Sequence, residues 1–448
     1  MQVSSAAQPS GSLEDAPLNA FHKHLAIYSA GGPFLDGYIL SIIGVALTQI
    51  TPSLHLTTFE EGLTGAAALI GMFFGAYLGG VLTDLFGRQT LYTWDLLALI
   101  LCSAAQFWVD SVTSLVTLRL LIGVAVGADY PIATSLLTEF APRRYRGPLL
   151  GLLVTMWYAG AAVAYLIGEW LLQLGPDGWR WMLASAALPA TAVMLLRHGT
   201  PESPRWLMEK GRVAEAEAVL KQVYGEKVAT TPPRAGVADE GVRSSALFRS
   251  GYGGRVLFVA TFWICSIVPM FAVYAFGPKI LSAMRLAGAW SHVGSMLITG
   301  LFAVGCVLSL WGINRCGRRW LVLHSFFWSG LALLMLGLFP ASSPMVTLFW
   351  FSAYAILIGG TQILQWIYPN ELFPTAIRGA AVGLTASLSR IGAAAGTFLA
   401  PFAIERVGIG ATILIGAGIT FCGFVVCLWA APETRHLGLE QSAALLEK

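Results

Sequence analysis

Four ionisable side chains stand inside long apolar stretches of this 448-residue chain: Asp36, Arg119, Asp129 and Arg390. Lipid makes such groups expensive, so each is expected to face a cavity or a partner. A low dielectric penalises the charged carboxylate, which makes Asp36 and Asp129 candidate proton carriers. Arg119, one layer away, is within reach of Asp36 and completes the candidate coupling set. A guanidinium stays charged at any accessible pH and matches the fork of a carboxylate or phosphate. Arg390, set in Ala386-Ser-Leu-Ser-Arg-Ile-Gly392, therefore points to an anionic solute or to an ion pair with Asp36 or Asp129. Asp95 reads as a structural partner for the turn at Gly87-Arg88. Tyr38, Trp157, Tyr158, Tyr274, Gln362, Gln365 and Trp366 can complete a pocket, the amides most strongly because buried amides require partners. The six cysteines are scattered without metal-ligand spacing, and no cofactor other than protons is called for.

The elements that carry these residues follow from composition. Hydrophobic residues make up 56% and charged residues 11%, with mean hydropathy +0.69, against roughly 25% charged in soluble proteins. A spanning helix needs about 20 apolar residues. Twelve candidates run near 25–50, 62–83, 91–109, 114–138, 147–172, 179–197, 255–277, 291–312, 320–339, 345–369, 375–404 and 408–431. An all-α membrane protein is expected, with a tail (1–24), a six-helix bundle (25–197), a polar loop (198–250), a second six-helix bundle (251–431) and a closing tail (432–448). Within the loop, apolar residues from Trp206 to Val223 recur at helical spacing and predict one amphipathic helix over Pro204–Tyr224.

Three polar signatures occur twice, in the same order. Gly87-Arg88 recurs as Gly317-Arg318. Glu139-Phe-Ala-Pro-Arg-Arg-Tyr-Arg146-Gly recurs as Glu371-Leu-Phe-Pro-Thr-Ala-Ile-Arg378-Gly. Pro201-Glu202-Ser recurs as Pro432-Glu433-Thr. Two copies of one half place a binding site at their interface and let one half rock against the other. The repeated charges sit at matching helix ends. Asp84, Arg88, Glu139, Arg146, Glu202, Arg318, Glu371, Arg378 and Glu433 are read as a gate whose ion pairs close one face. Surface pairs are individually weak, which suits a switch.

Lys and Arg placement sets the orientation. With both termini cytoplasmic, only Arg180, Lys279, Arg285 and Arg406 fall on the outer side. The net charge of +3 is then a positive-inside bias and not a nucleic-acid patch. Residues 1–20 show no cleavable signal, so the first span is expected to act as an uncleaved insertion signal.

Gly80-Val-Leu-Thr-Asp84-Leu-Phe-Gly87-Arg88 resembles the loop 2–3 signature of the major facilitator superfamily, with Leu85 and Gln89 where basic residues are usual. Asn314-Arg-Cys-Gly317-Arg318-Arg looks like its second copy, although Leu310 replaces a usual glycine. Arg119-x-x-x-Gly123-x-x-x-Gly127 resembles the fourth-helix motif, and the Pro-Glu boxes resemble those of the sugar-porter-like branch. Asp36-Gly-Tyr38 and Gly127-Ala-Asp129-Tyr-Pro131 look like the bacterial metabolite:proton symporters. The resemblance implies twelve helices in two bundles and alternating access in a bacterial inner membrane, by a monomer whose partners are the bilayer and a small solute. Trp366 resembles the tryptophan of the sugar-porter tenth helix. The paired glutamines of the seventh helix and the glutamine of the fifth are missing, as is the Gly-Pro signature of drug exporters. An arginine in helix 11 resembles the organic-anion branch. The expectation is proton-coupled import of a small organic anion. The alternatives are a neutral sugar or polyol symporter and a non-transporting nutrient receptor. No clustered His, Asp or Glu with catalytic spacing supports an enzyme.

Overall fold

The computed structural model describes residues 20–140, 143–197, 199–224, 252–284, 289–373 and 375–435. Within these ranges the side chains of Asp84, Arg88, Glu139, Arg146 and Arg378 lie outside the description, so that part of the expected gate has no structural account. The first half comprises α1 (Ala20–Ser53), α2 (Thr58–Phe86), α3 (Arg88–Ala105), α4 (Val112–Phe140), α5 (Arg143–Leu172), α6 (Gly178–Ser185) and α7 (Ala187–Arg197). Two short helices follow, α8 (Pro204–Glu209) and α9 (Val213–Tyr224). The second half comprises α10 (Gly253–Ala283), α11 (Ala289–Cys316), α12 (Arg318–Leu338), α13 (Pro344–Leu357), α14 (Gly359–Leu372) and α15 (Thr375–Ala430).

Twelve spans are read from these elements. Helices α6 and α7 together make the sixth span, and α13 and α14 make the tenth. The long α15 holds the eleventh and twelfth, separated at Gly408, whose φ of 82° belongs to a turn and not to a helix. The loop helix expected over Pro204–Tyr224 is broken in two at Gly211, which has φ 74°. Its apolar face is nonetheless used: Trp206, Leu207 and Ala216 are buried together, and Val223 packs with Leu25, Ala30 and Leu153.

The repeated Gly-Arg turn has one physical form in both copies. Gly87 and Gly317 take φ 92° and 88°, and each begins a helix. The exposed N–H groups at that helix start need acceptors. Glu202 accepts from Gln89 N at 3.0 Å, and Glu433 accepts from Arg318 N at 3.0 Å and Arg319 N at 3.1 Å. The two Pro-Glu boxes therefore lock the end of each half onto its own Gly-Arg turn. Burial pushes the Glu433 carboxyl up, and four backbone N–H donors (Arg318, Arg435, Arg319 and Thr434) outweigh it and hold the group below its ordinary value.

Within the first half, α2 and α4 meet backbone to backbone. A Cβ on Gly71, Gly75 or Gly79 would strike α4 at Leu120, Val124 or Ala128. A Cβ on Gly123 or Gly127 would strike α2 at Ala68 or Met72. Small residues at such a crossing let spanning helices approach closely in lipid. Large apolar side chains are left on the outside, including Leu101, Leu188 and Phe349. Exposed tryptophans ring both rims, with Trp108, Trp170 and Trp181 at one end of the spans and Trp311, Trp320 and Trp429 at the other. That is the pattern of a lipid-facing surface with interfacial belts.

Candidate functional site

Three carboxylates converge inside the first half. Asp36 on α1, Asp95 on α3 and Asp129 on α4 are 2%, 6% and 5% exposed. They line one small cavity with Leu35, Leu96, Leu99, Ala125 and Val126. Its space of about 10 Å³ suits about one water. Asp95 thus lies with the proposed proton carriers and is not the partner of the Gly87-Arg88 turn, whose backbone is held by Glu202 instead. The helical period explains this: Asp95 is two turns into α3, too far in to reach back to the helix start.

The counter-charge is Arg197, at the last position of α7. Its Nη1 lies 3.3 Å from Asp129 Oδ1, and the two side chains are 5% and 8% exposed. Its Nε and Nη2 donate to the Tyr28 carbonyl at 3.1 and 3.0 Å. Its guanidinium lies 3.3 Å from the Tyr92 ring centroid, a cation–π contact strengthened by burial. A Cβ on Gly32 of α1 would overlap the Asp129 carboxylate, so glycine there makes room for the ion pair. Sequence reading missed Arg197 because it ends a span beside a polar loop, where arginine ordinarily marks topology. The signal was Asp129 itself, which needed a buried cation.

Arg119 is not that cation for Asp36. It is 1% exposed, and its Nε donates to the Thr64 carbonyl of α2 at 3.2 Å. Both Arg119 and Thr64 lie toward the rim opposite the central loop, so the arginine ties α4 to α2 and does not reach inward. Asp36 instead lies within coulombic reach of Asp129, Arg390 and Arg197. Arg390, half-buried on α15, stands 5.9 Å from the Phe271 ring centroid.

The expected pocket residues divide into three groups. Gln362 and Gln365 on α14 are 1% and 8% exposed. Gln362 Nε2 donates to the Ser266 carbonyl at 3.4 Å, Gln365 Nε2 to Gln362 Oε1 at 3.1 Å, and Ser266 Oγ to Gln365 Oε1 at 3.5 Å. Trp366 stands edge-on to Trp263, with centroids 5.2 Å apart, beside this amide cluster. Trp157 and Tyr158 of α5 form an aromatic seam with the second half: Trp157 contacts Phe271 and Tyr274, and Tyr158 stacks on Phe302 at 5.9 Å. Tyr38 belongs to neither group. Its hydroxyl lies 2.6 Å from Ser185 Oγ on α6, inside the first bundle.

Pro278 explains how the seam is pinned. Lacking an N–H, it cannot bond the Tyr274 carbonyl four residues back. The Tyr165 hydroxyl of α5 donates to that carbonyl at 2.9 Å. Helix α10 bends at Phe276, which has non-helical φ −130°.

On the rim opposite the central loop, the halves are held shut. Lys279 Nζ lies 2.7 and 2.6 Å from the two Glu61 oxygens, joining α10 to α2. Thr58 Oγ1 donates to Glu405 at 2.5 Å, and Phe59 meets Phe398 edge-on at 5.4 Å. Sequence reading counted Lys279 only as an outer charge and missed this latch. On the loop side, Arg318 pairs with Glu371 at 3.0 Å and Thr434 Oγ1 donates to Glu371 at 2.5 Å, all within the second half. Glu371, one of the expected gate carboxylates, thus takes Arg318, while the Arg378 side chain lies outside the described residues. Glu202 and Glu433 hold helix starts in their own halves.

The latch is testable. Lys279→Ala leaves the buried Glu61 carboxylate unpaired and should favour opening on that rim. A cysteine at Thr397, a fully buried position beside Gly65, should then react with a membrane-impermeant maleimide several-fold faster, since about 1 kcal/mol is a factor of about 5. Equal rates with and without Lys279 would remove the latch role.

The family model described as "Sugar (and other) transporter" matches residues 25–446. The putative metabolite transport protein YaaU of Escherichia coli K12 is 43% identical over 437 residues, which is 97% of this chain and 98% of that one. The fold matches the xylose transporter XylE from E. coli, in a partially occluded inward-open conformation. The TM-score is 0.80 at 20% identity, over 93% of this chain and 99% of that one. It also matches XylE, the proton:xylose symporter, bound to 6-bromo-6-deoxy-D-glucose. Here the TM-score is 0.78 at 20% identity, over 96% and 99%. The chain is a multi-pass membrane transporter and not an enzyme, and it belongs to the sugar (and other) transporter family of the major facilitator superfamily.

Proposed function

We propose that the protein is a proton-coupled symporter that imports a small polyhydroxylated solute, a sugar or polyol, by alternating access. The amide cluster of Gln362, Gln365 and Ser266, flanked by Trp263 and Trp366, carries this reading. Amides both donate and accept, as hydroxyl groups do, and aromatic faces suit the apolar side of a sugar ring. The likeness to XylE, a xylose transporter, supports the same class. The weight therefore moves from the organic anion suggested by Arg390 to the neutral alternative. The carboxylates of the first half supply the proton site, and the bundle interface between them and the amides supplies the solute site. Both termini face the cytoplasm on the Lys and Arg distribution, with the Glu61–Lys279 latch on the outer side and the chain acting as a monomer.

A second reading keeps one specific observation. Arg390 stands on α15 within coulombic reach of Asp36, where an anionic solute would exchange with that carboxylate as its partner.

A matched ligand series separates the two. Thermal stability of the purified protein is measured with an aldose, its polyol and its aldonic acid. The aldose or polyol should stabilise wild type and Arg390→Ala alike, while Gln362→Ala weakens binding about 5- to 10-fold, the scale of one hydrogen bond. Stabilisation by the acid alone, abolished in Arg390→Ala, would establish the anion reading in its place.

A further inference from the structure

The carboxylate cluster carries more acid than its cation can balance. Facing Asp95 are Asp36 from α1, Asp129 from α4, Tyr92 from its own helix and Arg197 from α7, with Arg390 beyond Asp36 on the other half. Asp129 holds the 3.3 Å ion pair with Arg197. Asp36 looks toward Arg390. Asp95 has no cation of its own: Oδ1 accepts the Leu96 N–H at 2.5 Å, and Oδ2 is buried without a hydrogen-bond partner. A carboxylate oxygen is acceptor only, whereas a carboxylic acid carries a donor. Near other carboxylates in a dry site, the neutral form relieves both repulsion and desolvation.

The duplicated half shows that the fold does not need this charge. The 230-residue offset from Gly87 to Gly317 carries Asp95 onto Ser325. The 232-residue offset from Glu139 to Glu371 carries Asp129 onto Thr361. Ser325 Oγ accepts from Thr361 N at 3.2 Å and donates to the Leu357 carbonyl at 2.5 Å. Thr361 Oγ1 donates to the Ile358 carbonyl at 2.8 Å, so the second half packs the same crossing with neutral hydroxyl residues satisfied by backbone groups.

We propose that Asp95 is a second proton-binding carboxyl of the transport cycle, loaded together with Asp36 while Asp129 remains ionised against Arg197. The proton adds to Asp95 Oδ2, taking the side chain from an anion to a neutral acid that carries a donor in the cavity it shares with Asp36 and Asp129. Three carboxylates and Arg197 then carry no net charge once two protons are bound. This rests on the proton-coupled reading given above and extends it from one proton site to two.

The proton count needs no solute. Infrared spectra of the intact protein in liposomes are recorded from acid to alkaline pH, with aspartate isotopically labelled so that its protonated carbonyl band is separated from that of glutamate. Wild type should show two protonated aspartates per chain at neutral pH. Asp95→Asn should lose about half of that band, because Asp36 and Asp129 beside Arg197 are neutral with one proton between them, whichever of the coupled pair holds it. Asp95→Ser, which copies the second half, provides a variant expected to fold if the amide does not. An undiminished band in either folded variant, or one protonated aspartate or none in wild type, overturns the proposal. Asp36→Asn distinguishes the two readings. If it removes band intensity while Asp95→Asn does not, the second site fails and proton coupling at Asp36 stands. If Asp95→Asn removes its share but solute accumulation ignores the proton gradient, the site stands and coupling fails.

Discussion

Asp36→Asn should abolish uphill accumulation, with the internal solute level falling to that outside, while counterflow persists. Accumulation needs a proton to be bound on one side and released on the other, and an amide has no proton to release. Counterflow needs only that the loaded carrier reorient, which a neutral isostere permits. Asp36 is 2% exposed, and the charges around it lie on both halves: Asp95, Asp129 and Arg197 in the first, Arg390 in the second. A charge placed there senses whether the bundles are together. The experiment is uptake into proteoliposomes with and without an inward proton gradient, followed by exchange at equal pH. Undiminished gradient-driven accumulation in Asp36→Asn would remove this residue from coupling. Asp129→Asn belongs in the same series, because neighbouring carboxylates titrate as a group.

The second large effect concerns stability. Arg197→Met should destabilise the protein by about 3–5 kcal/mol, the usual cost of leaving a buried ion without its partner. The variant strands the Asp129 carboxylate, frees the Tyr28 carbonyl and empties the face of Tyr92. Pairing it with Asp129→Asn should restore much of the loss, since a neutral amide no longer demands a cation. Thermal unfolding in detergent reads both variants. A single variant that melts with wild type, or a double variant no better than the single, would show that the ion pair does not hold α7 to α4.

The twelve spans, their division into halves and the repeated Gly-Arg turns were legible because each leaves a mark in one dimension, whereas the hold of Glu202 and Glu433 on those turns, read as gate charges, was not. Apolar length writes a span, and a repeated polar box writes a half. Asp36 and Asp129 were legible for the same reason, since a charge in an apolar stretch stands out without a structure. Their companions were not. Arg197 and Lys279 sit at span ends, where basic residues are common for reasons of topology. Only the packing of α7 on α1 and α3, and of α10 on α2, turns them inward. Asp95 was legible as a buried acid but not as a neighbour of Asp129, because helix rotation is set by contacts that no single span records. Tyr38 failed in the opposite sense: its place in a central span suggested the cavity, and its rotation gave it to Ser185.

The crossing of α2 and α4 has a mechanical meaning. Glycine faces that bring two backbones into contact leave no side-chain cushion to compress or slide. Asp129 rides on α4, and Glu61 stands near the start of α2. A displacement imposed on one therefore reaches the other with little lost to compliance. The pair behaves as one stiff spar, with the acid cluster partway along it and the Glu61–Lys279 clasp at its tip. The motion required for rocking must then be taken up elsewhere, at the aromatic seam and the bent α10 where the two halves meet.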